Sequence, residues 1–321
     1  MEGWREQAFD LVETAFPRTP ISNQVIVVDL DRTSFERKRS WPWARDDIAS
    51  LIEAIAACHP AVIAIDMLLA ARAVAGPPED TRLTEALRRA PTVLGIVLDP
   101  DSSDVDVEGP PLGTVGAIRA RDIMMASGVD APAELLRGAT AGLGVLSLPA
   151  PNGESVRGVP LLAIGGSNLF DGLAVEAVRI EQGDVTLIAD APHEQLRIGG
   201  ISVPLQTDAG LRLHFPSADH QVRRTISAGA LSAGSPAANL IAGKIVFLGS
   251  SAPEAGGLRA TAMDAYMPPC KSMPMRPSSC STNGSCAGHM PPFSSNAGSW
   301  WACPLWRSSP ASCWRPCGPR S

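Results

Sequence analysis

The sequence predicts an α/β fold: a mixed sheet with a parallel β-α-β-α-β core and antiparallel strands in the second half. Three observations carry this. Near-continuous apolar runs recur in the first third, at 25–30, 61–65 and 92–98. Helical patterns separate them. Short alternating segments with turn residues fill 184–215. Apolar strands joined by helices are the mark of a parallel sheet buried on both faces.

The elements follow in order. Residues 5–16 form an amphipathic helix with Ala8, Leu11, Val12, Ala15 and Phe16 on one side, ended by Pro17 and Pro20. Val25 to Asp31 is a strand with an acidic end. Asp46 or Asp47 caps a helix whose Ile48, Leu51, Ile52 and Ile55 repeat at i, i+3, i+4 and i+7. Pro60 stops it, and Ala61 to Asp66 is the second strand. A helix over 79–90 turns Leu83, Ala86 and Leu87 inward, and Thr92 to Leu98 is the third strand. Residues 100–122, rich in Asp, Gly and Pro, read as a surface loop. Strands are expected at 143–148 and 159–164, and a helix over about 168–180. Asp208-Ala-Gly210 is a turn between antiparallel strands, and Lys244 to Gly249 is a further buried strand.

Composition excludes several classes. The chain has 321 residues, 45% of them hydrophobic, and a net charge of −6 with both signs interspersed. There is no basic face for nucleic acid. Before residue 270 the only cysteine is Cys58, so the main body rests on packing without an internal disulfide. No run of about 18 apolar residues and no signal peptide is written in the chain. Gly243-Lys244 precedes a strand, unlike a phosphate-binding loop, and no Gly-x-Ser-x-Gly elbow occurs. No cofactor or metal site is expected. A loose Cys280, Cys286, His289 spacing departs from zinc knuckles, and His193, His214 and His220 have no motif spacing.

Four segments together resemble the second class of CHASE domain, the cyclase/histidine-kinase-associated sensory extracellular domains. They are Val27-Val-Asp-Leu-Asp31 with Trp41-Pro-Trp-Ala-Arg45; Ala64-Ile-Asp66 with the acidic helix start Glu79-Asp80; Asn152 to Leu161, where the family has an Asp-Gly-x-x-Arg step; and Gly243 to Ala252 followed by Leu258-Arg-Ala-Thr261. The resemblance covers a sensory domain over 22–267, preceded by a linker helix over 1–21. It implies an extracytoplasmic, membrane-anchored receptor part that takes a small-molecule or peptide signal. It also implies coupling to a cyclase or kinase domain, with a homodimer compatible with it and no catalysis of its own.

Candidate ligand-binding residues are Asp29, Asp31, Trp41, Trp43, Arg45 and Asp66. Pro42 fixes the backbone between two indoles, which then seal one end of the sheet. Arg45 opposes the dipole at a helix start and is expected to pair with Asp29, Asp31 or Asp66. Acids at the carboxyl ends of parallel strands face the crevice where ligands bind in open α/β sheets. The commoner use of such acids is to cap the following turn or helix. An enzymatic alternative remains: a Mg-dependent phosphatase of haloacid-dehalogenase type, with Asp29 as nucleophile and Asp31 as general acid.

Residues 268–321 read as an aberrant tail. Six cysteines and four tryptophans fall there, without amphipathic period. In the family, Thr261 leads on to Pro-Gly-Val-x-x-His-Ala, a helix and membrane spans. Shifted by one base, the codons of Cys270 to Arg276 permit Val-Gln-Ile-His-Ala-Asp-Ala, and those of Ser279 to Asn283 permit Gln-Leu-Leu-Asn-Glu. A one-base frame error near Met267–Cys270 and a truncated receptor are therefore expected.

Overall fold

The structure is a computed structural model. It describes residues 2–16, 23–38, 43–70, 78–102, 107–116, 123–148, 156–206, 208–215, 218–231 and 237–252. The tail lies outside the described residues, as does Trp41.

The chain begins with α1 (Glu2–Ala15), β1 (Val25–Leu30), α2 (Arg32–Lys38), α3 (Arg45–Ala56), β2 (Val62–Ile65), α4 (Pro78–Leu87) and β3 (Thr92–Asp99). It continues through β4 (Leu112–Val115), β5 (Met125–Ala126), β6 (Gly128–Asp130), α5 (Glu134–Arg137), β7 (Gly142–Val145), β8 (Gly158–Pro160), β9 (Leu162–Gly165) and β10 (Asn168–Asp171). Then come α6 (Leu173–Glu181), β11 (Leu187–Asp190), β12 (Gln195–Ile198), β13 (Ile201–Pro204), β14 (Gly210–Arg212), α7 (Ala218–Arg223), β15 (Thr225–Ser227), α8 (Ala238–Ile241) and β16 (Ile245–Ser250).

A seven-stranded sheet organises the body, in the order β15-β1-β16-β2-β3, with β7 and β6 both joined to β3. All its pairings are parallel except β3 with β6. The predicted parallel core is present, and the late strand β16 lies at its centre. β16 separates β1 from β2, pairing Val25 with Ile245 on one side and Val62 with Ile245 on the other.

Alternation along these strands divides the core. Ile26, Val28, Leu30, Ile63, Ile65, Val246 and Leu248 share one cluster with Ile48, Ile52 and Ile55 of α3 and Leu83 and Leu87 of α4. Val25, Val62, Ala64, Ile245 and Phe247 join the other, with Leu173 and Ala177 of α6 and Leu187, Leu196 and Ile198 of a second sheet. That second sheet runs β13-β12-β11-β4. The result is a main sheet with helices on one face and a helix plus a small sheet on the other.

Several expected elements differ. Residues 168–171 are a strand: Asn168 to Asp171 pair antiparallel with Leu162 to Gly165. The connection takes Gly166 at φ 60°, a conformation that favours glycine. The helix therefore begins only at Leu173, after an N-cap at Gly172. Within the expected 100–122 loop, β4 pairs with β11. Asp208-Ala-Gly210 does turn the chain, with Gly210 N–H donating to Asp208 Oδ1 at 2.9 Å. It joins strands of two different sheets, however, since β13 pairs with β12 and β14 with β8. Asp46 and Asp47 do not cap α3; its N-cap is Ala44, without a side-chain hydrogen bond. Both aspartates lie in the first turn, where they complement the helix dipole.

Candidate functional site

The carboxyl ends of β1, β16 and β2 form one rim of the main sheet. Asp29 of β1 pairs in register with Gly249 of β16. Leu248 pairs with Ile65, and Asp66 N–H then donates to the Leu248 carbonyl at 2.8 Å. Asp66 thus continues the row one residue beyond β2. By alternation Asp29, Gly249 and Asp66 belong to the face of Val25, Phe247 and Ala64. Two strand spacings put the Asp29 and Asp66 α-carbons about 10 Å apart. A residue without a side chain stands between them.

The acids of this rim have separate roles. Asp29 is buried and accepts the Ser251 N–H at 2.8 Å. Ser250 Oγ donates to the Leu30 carbonyl at 2.8 Å, which ties the end of β16 to β1. Asp31 caps α2: its Oδ1 accepts the Ser34 N–H at 2.9 Å, Ser34 Oγ–H at 2.7 Å and Thr33 Oγ–H at 2.8 Å. Burial works to raise the Asp31 pKa. The hydrogen bonds from Ser34, Thr33 and Ser227 outweigh it and hold the carboxyl below its ordinary range. Ser34 Oγ in turn accepts the Gly229 N–H at 2.9 Å. Asp99, at the end of β3, accepts the Asp101 N–H at 2.9 Å in a turn. Asp66 has no hydrogen-bonding or ionic side-chain partner among the described residues, and burial pushes its carboxyl up to about 7.

Arg45 does not pair with Asp29, Asp31 or Asp66. Its Nε lies 2.9 Å from Asp80 Oδ1, and Nη2 donates to the Ala70 carbonyl at 2.7 Å. The acid that offsets Arg45 at its helix start therefore comes from α4, and the pair ties α3 to α4. Trp43 packs into the core at 5.9 Å from Phe35, ring centre to ring centre, on the α3/α4 side of the sheet. Of the six candidate residues, the structure brings Asp29 and Asp66 into one row. It gives Asp31 to a helix cap and Trp43 and Arg45 to the helical layer.

A second acidic cluster was missed by sequence reasoning. Arg179 of α6 donates from Nε to Glu176 Oε2 at 2.6 Å and from Nη2 to Glu176 Oε1 at 2.8 Å, and also bonds Asp184. Asp171, fully buried, sits beside Glu176. Burial first, and the Glu176 charge second, push its pKa well above the ordinary carboxylate range. The i,i+3 spacing of Glu176 and Arg179 was the available signal. Its burial was not readable, because it depends on Gly142, where an added Cβ would stand 1.7 Å from Glu176 Oε1.

The CHASE2 domain family matches residues 1–275. The chain belongs to the CHASE2 family. CHASE2 domains are extracytoplasmic sensory domains without catalytic function, in agreement with the resemblance carried by the four motif segments. The CHASE2 match takes in α1 as well as the main sheet. No curated protein and no solved structure matches the chain. Among the described residues no helix is long and apolar enough to cross a membrane. Nor do three His, Cys, Asp or Glu side chains gather there as a metal site.

Proposed function

We propose that this CHASE2 chain is the signal-sensing part of a membrane-anchored bacterial receptor, and that it takes a small polar or cationic signal over Gly249, between Asp29 and Asp66. The observation that carries the reading is the row itself: two acids at the ends of β1 and β2, separated by a glycine, at the edge where open α/β sheets bind ligands. The face behind the row is a closed apolar core, so a ligand there meets rigid strand ends. Asp66, titrating near neutrality, both accepts and donates hydrogen bonds at physiological pH. Binding acts by population shift, favouring one arrangement of the domain. The parent receptor carries membrane spans and a cyclase or kinase output, and it works as a homodimer.

The test is a thermal-shift screen with a panel of polyols, amino acids, polyamines and divalent cations. At least one class is expected to raise the melting temperature of the unaltered chain. That rise is expected to vanish in Gly249→Val, which sets a branched side chain between the two acids, and in Asp66→Asn. A ligand whose effect persists in both variants binds elsewhere and overturns this assignment.

A further inference from the structure

The Asn152–Leu161 segment stood out in the sequence, yet the strand-end row makes no use of it. Its Arg157 reaches a different element. Arg157 Nη2 lies 2.7 Å from Asp10 Oδ2, and its Nε lies 3.1 and 3.2 Å from the two Asp10 oxygens. This is a two-pronged guanidinium–carboxylate pair between residues 147 apart, and it docks α1 on the body. One residue earlier, the Phe9 ring lies 3.8 Å beneath the Arg212 guanidinium and 5.8 Å from the His214 ring.

All three body groups belong to one structure, the β8–β14 ribbon and its flanks. Arg157 precedes β8, Arg212 ends β14, and Leu213 N–H donates to the Arg157 carbonyl at 2.8 Å. At its other end the ribbon runs into Leu161 and Leu162, which pack in the core with Phe247.

Other apolar residues described along α1 and just after it are turned outward. Trp4, Leu11, Val12 and Phe16 are 69%, 72%, 57% and 76% exposed. The apolar side expected to seat the helix faces away from the body, and Phe9 and Asp10, both partly buried, face it. Among the described residues, the contacts that dock α1 are the Asp10–Arg157 ion pair and the Phe9 ring against Arg212 and His214. A helix of 14 residues is also marginal in water without tertiary support.

We infer that α1 is a releasable strap, latched to the β8–β14 ribbon by Asp10–Arg157 and by Phe9 under Arg212, and that it opens as a unit while the body stays folded. The inference does not depend on where a ligand binds. It supplies a two-state element joined by the ribbon to the core behind the Asp29–Asp66 row.

Hydrogen exchange read by mass spectrometry on the whole chain tests it. In Asp10→Asn and in Arg157→Gln, exchange of the α1 amides is expected to rise by about tenfold or more, with β1 and β16 amides unchanged. The charge-swapped double variant, Asp10→Arg with Arg157→Asp, is expected to recover most of the lost protection. Unchanged α1 exchange in both single variants overturns the latch, and so does failure of the swapped pair to recover. Exchange that rises equally in α1 and in β1 and β16 overturns the independent opening of the strap.

Discussion

Two sets of acids can be compared within this chain. Beneath α6, Glu176 lies against Arg179 with both its oxygens occupied and Gly142 admitting it, and Asp171, its pKa raised by burial and by the Glu176 charge, sits beside them. At the ends of β1 and β2, Asp29 and Asp66 lie across Gly249; Asp29 accepts the Ser251 N–H, while Asp66 has no side-chain partner among the described residues and titrates near neutrality. A buried carboxylate held by an ion pair, as Glu176 is by Arg179, makes an anchor. A carboxyl left without such a partner at a strand end, as at Asp66, keeps a site's polar capacity in reserve at a cost in stability, which is the usual sign of function rather than support.

The largest effect should separate the two. Glu176→Ala leaves Arg179 buried with Asp184 as its remaining hydrogen-bonded acid and Asp171 nearby. A loss of about 3–5 kcal/mol is expected in urea denaturation. If the cost were under about 1 kcal/mol, the anchor role would be lost and the two sets would no longer differ.

Asp66→Asn comes next, with the opposite sign. The unfolded carboxyl ionises near 4 and the folded one near 7, so between these values the folded chain holds the extra proton. Stability of the unaltered protein therefore falls as pH rises through that window, and the deficit is complete above about 7. Asp66→Asn should match it near pH 4 and exceed it by about 2–3 kcal/mol at pH 8. Identical pH profiles would remove Asp66 from the uncompensated class.

Asp31→Ala is the smallest. It deletes the α2 cap and should cost about 1 kcal/mol at pH 7. Because the folded carboxyl is lowered, that stabilisation is present above its unfolded pKa and fades as pH falls through the folded one. A pH trend running like that of Asp66 would contradict the capping assignment.

Five strands of the main sheet, β1, β2, β3, β7 and β16, were legible because a parallel strand covered on both faces is apolar at most positions, as in Val62 to Ile65; the short β6 and β15 carry no such run. Helices α3 and α4 were legible by period. Strand order was not, since nothing in Ile245 to Ser250 says which neighbours it takes. The Asn168–Asp171 hairpin strand was read as helix because it runs directly into helical spacing, and only pairing with β9 decides it. Within the site, the strand-end acids were readable, while the partner of Arg45 was not. Asp80 looked like an ordinary acidic helix start, and it faces Arg45 only because α4 packs on α3. The orientation of α1 escaped for a similar reason: periodicity marks an apolar side without saying that the body offers guanidinium groups in return.

The central position of β16 has a consequence during synthesis. Leu30 and Ser250, bonded across the sheet, are separated by 220 positions. A nascent chain therefore carries β1 and β2 with open hydrogen-bonding edges until almost the whole domain has been made. Closure of the sheet must wait for its latest strand, which makes for slow folding with a long interval of vulnerability to aggregation and proteolysis.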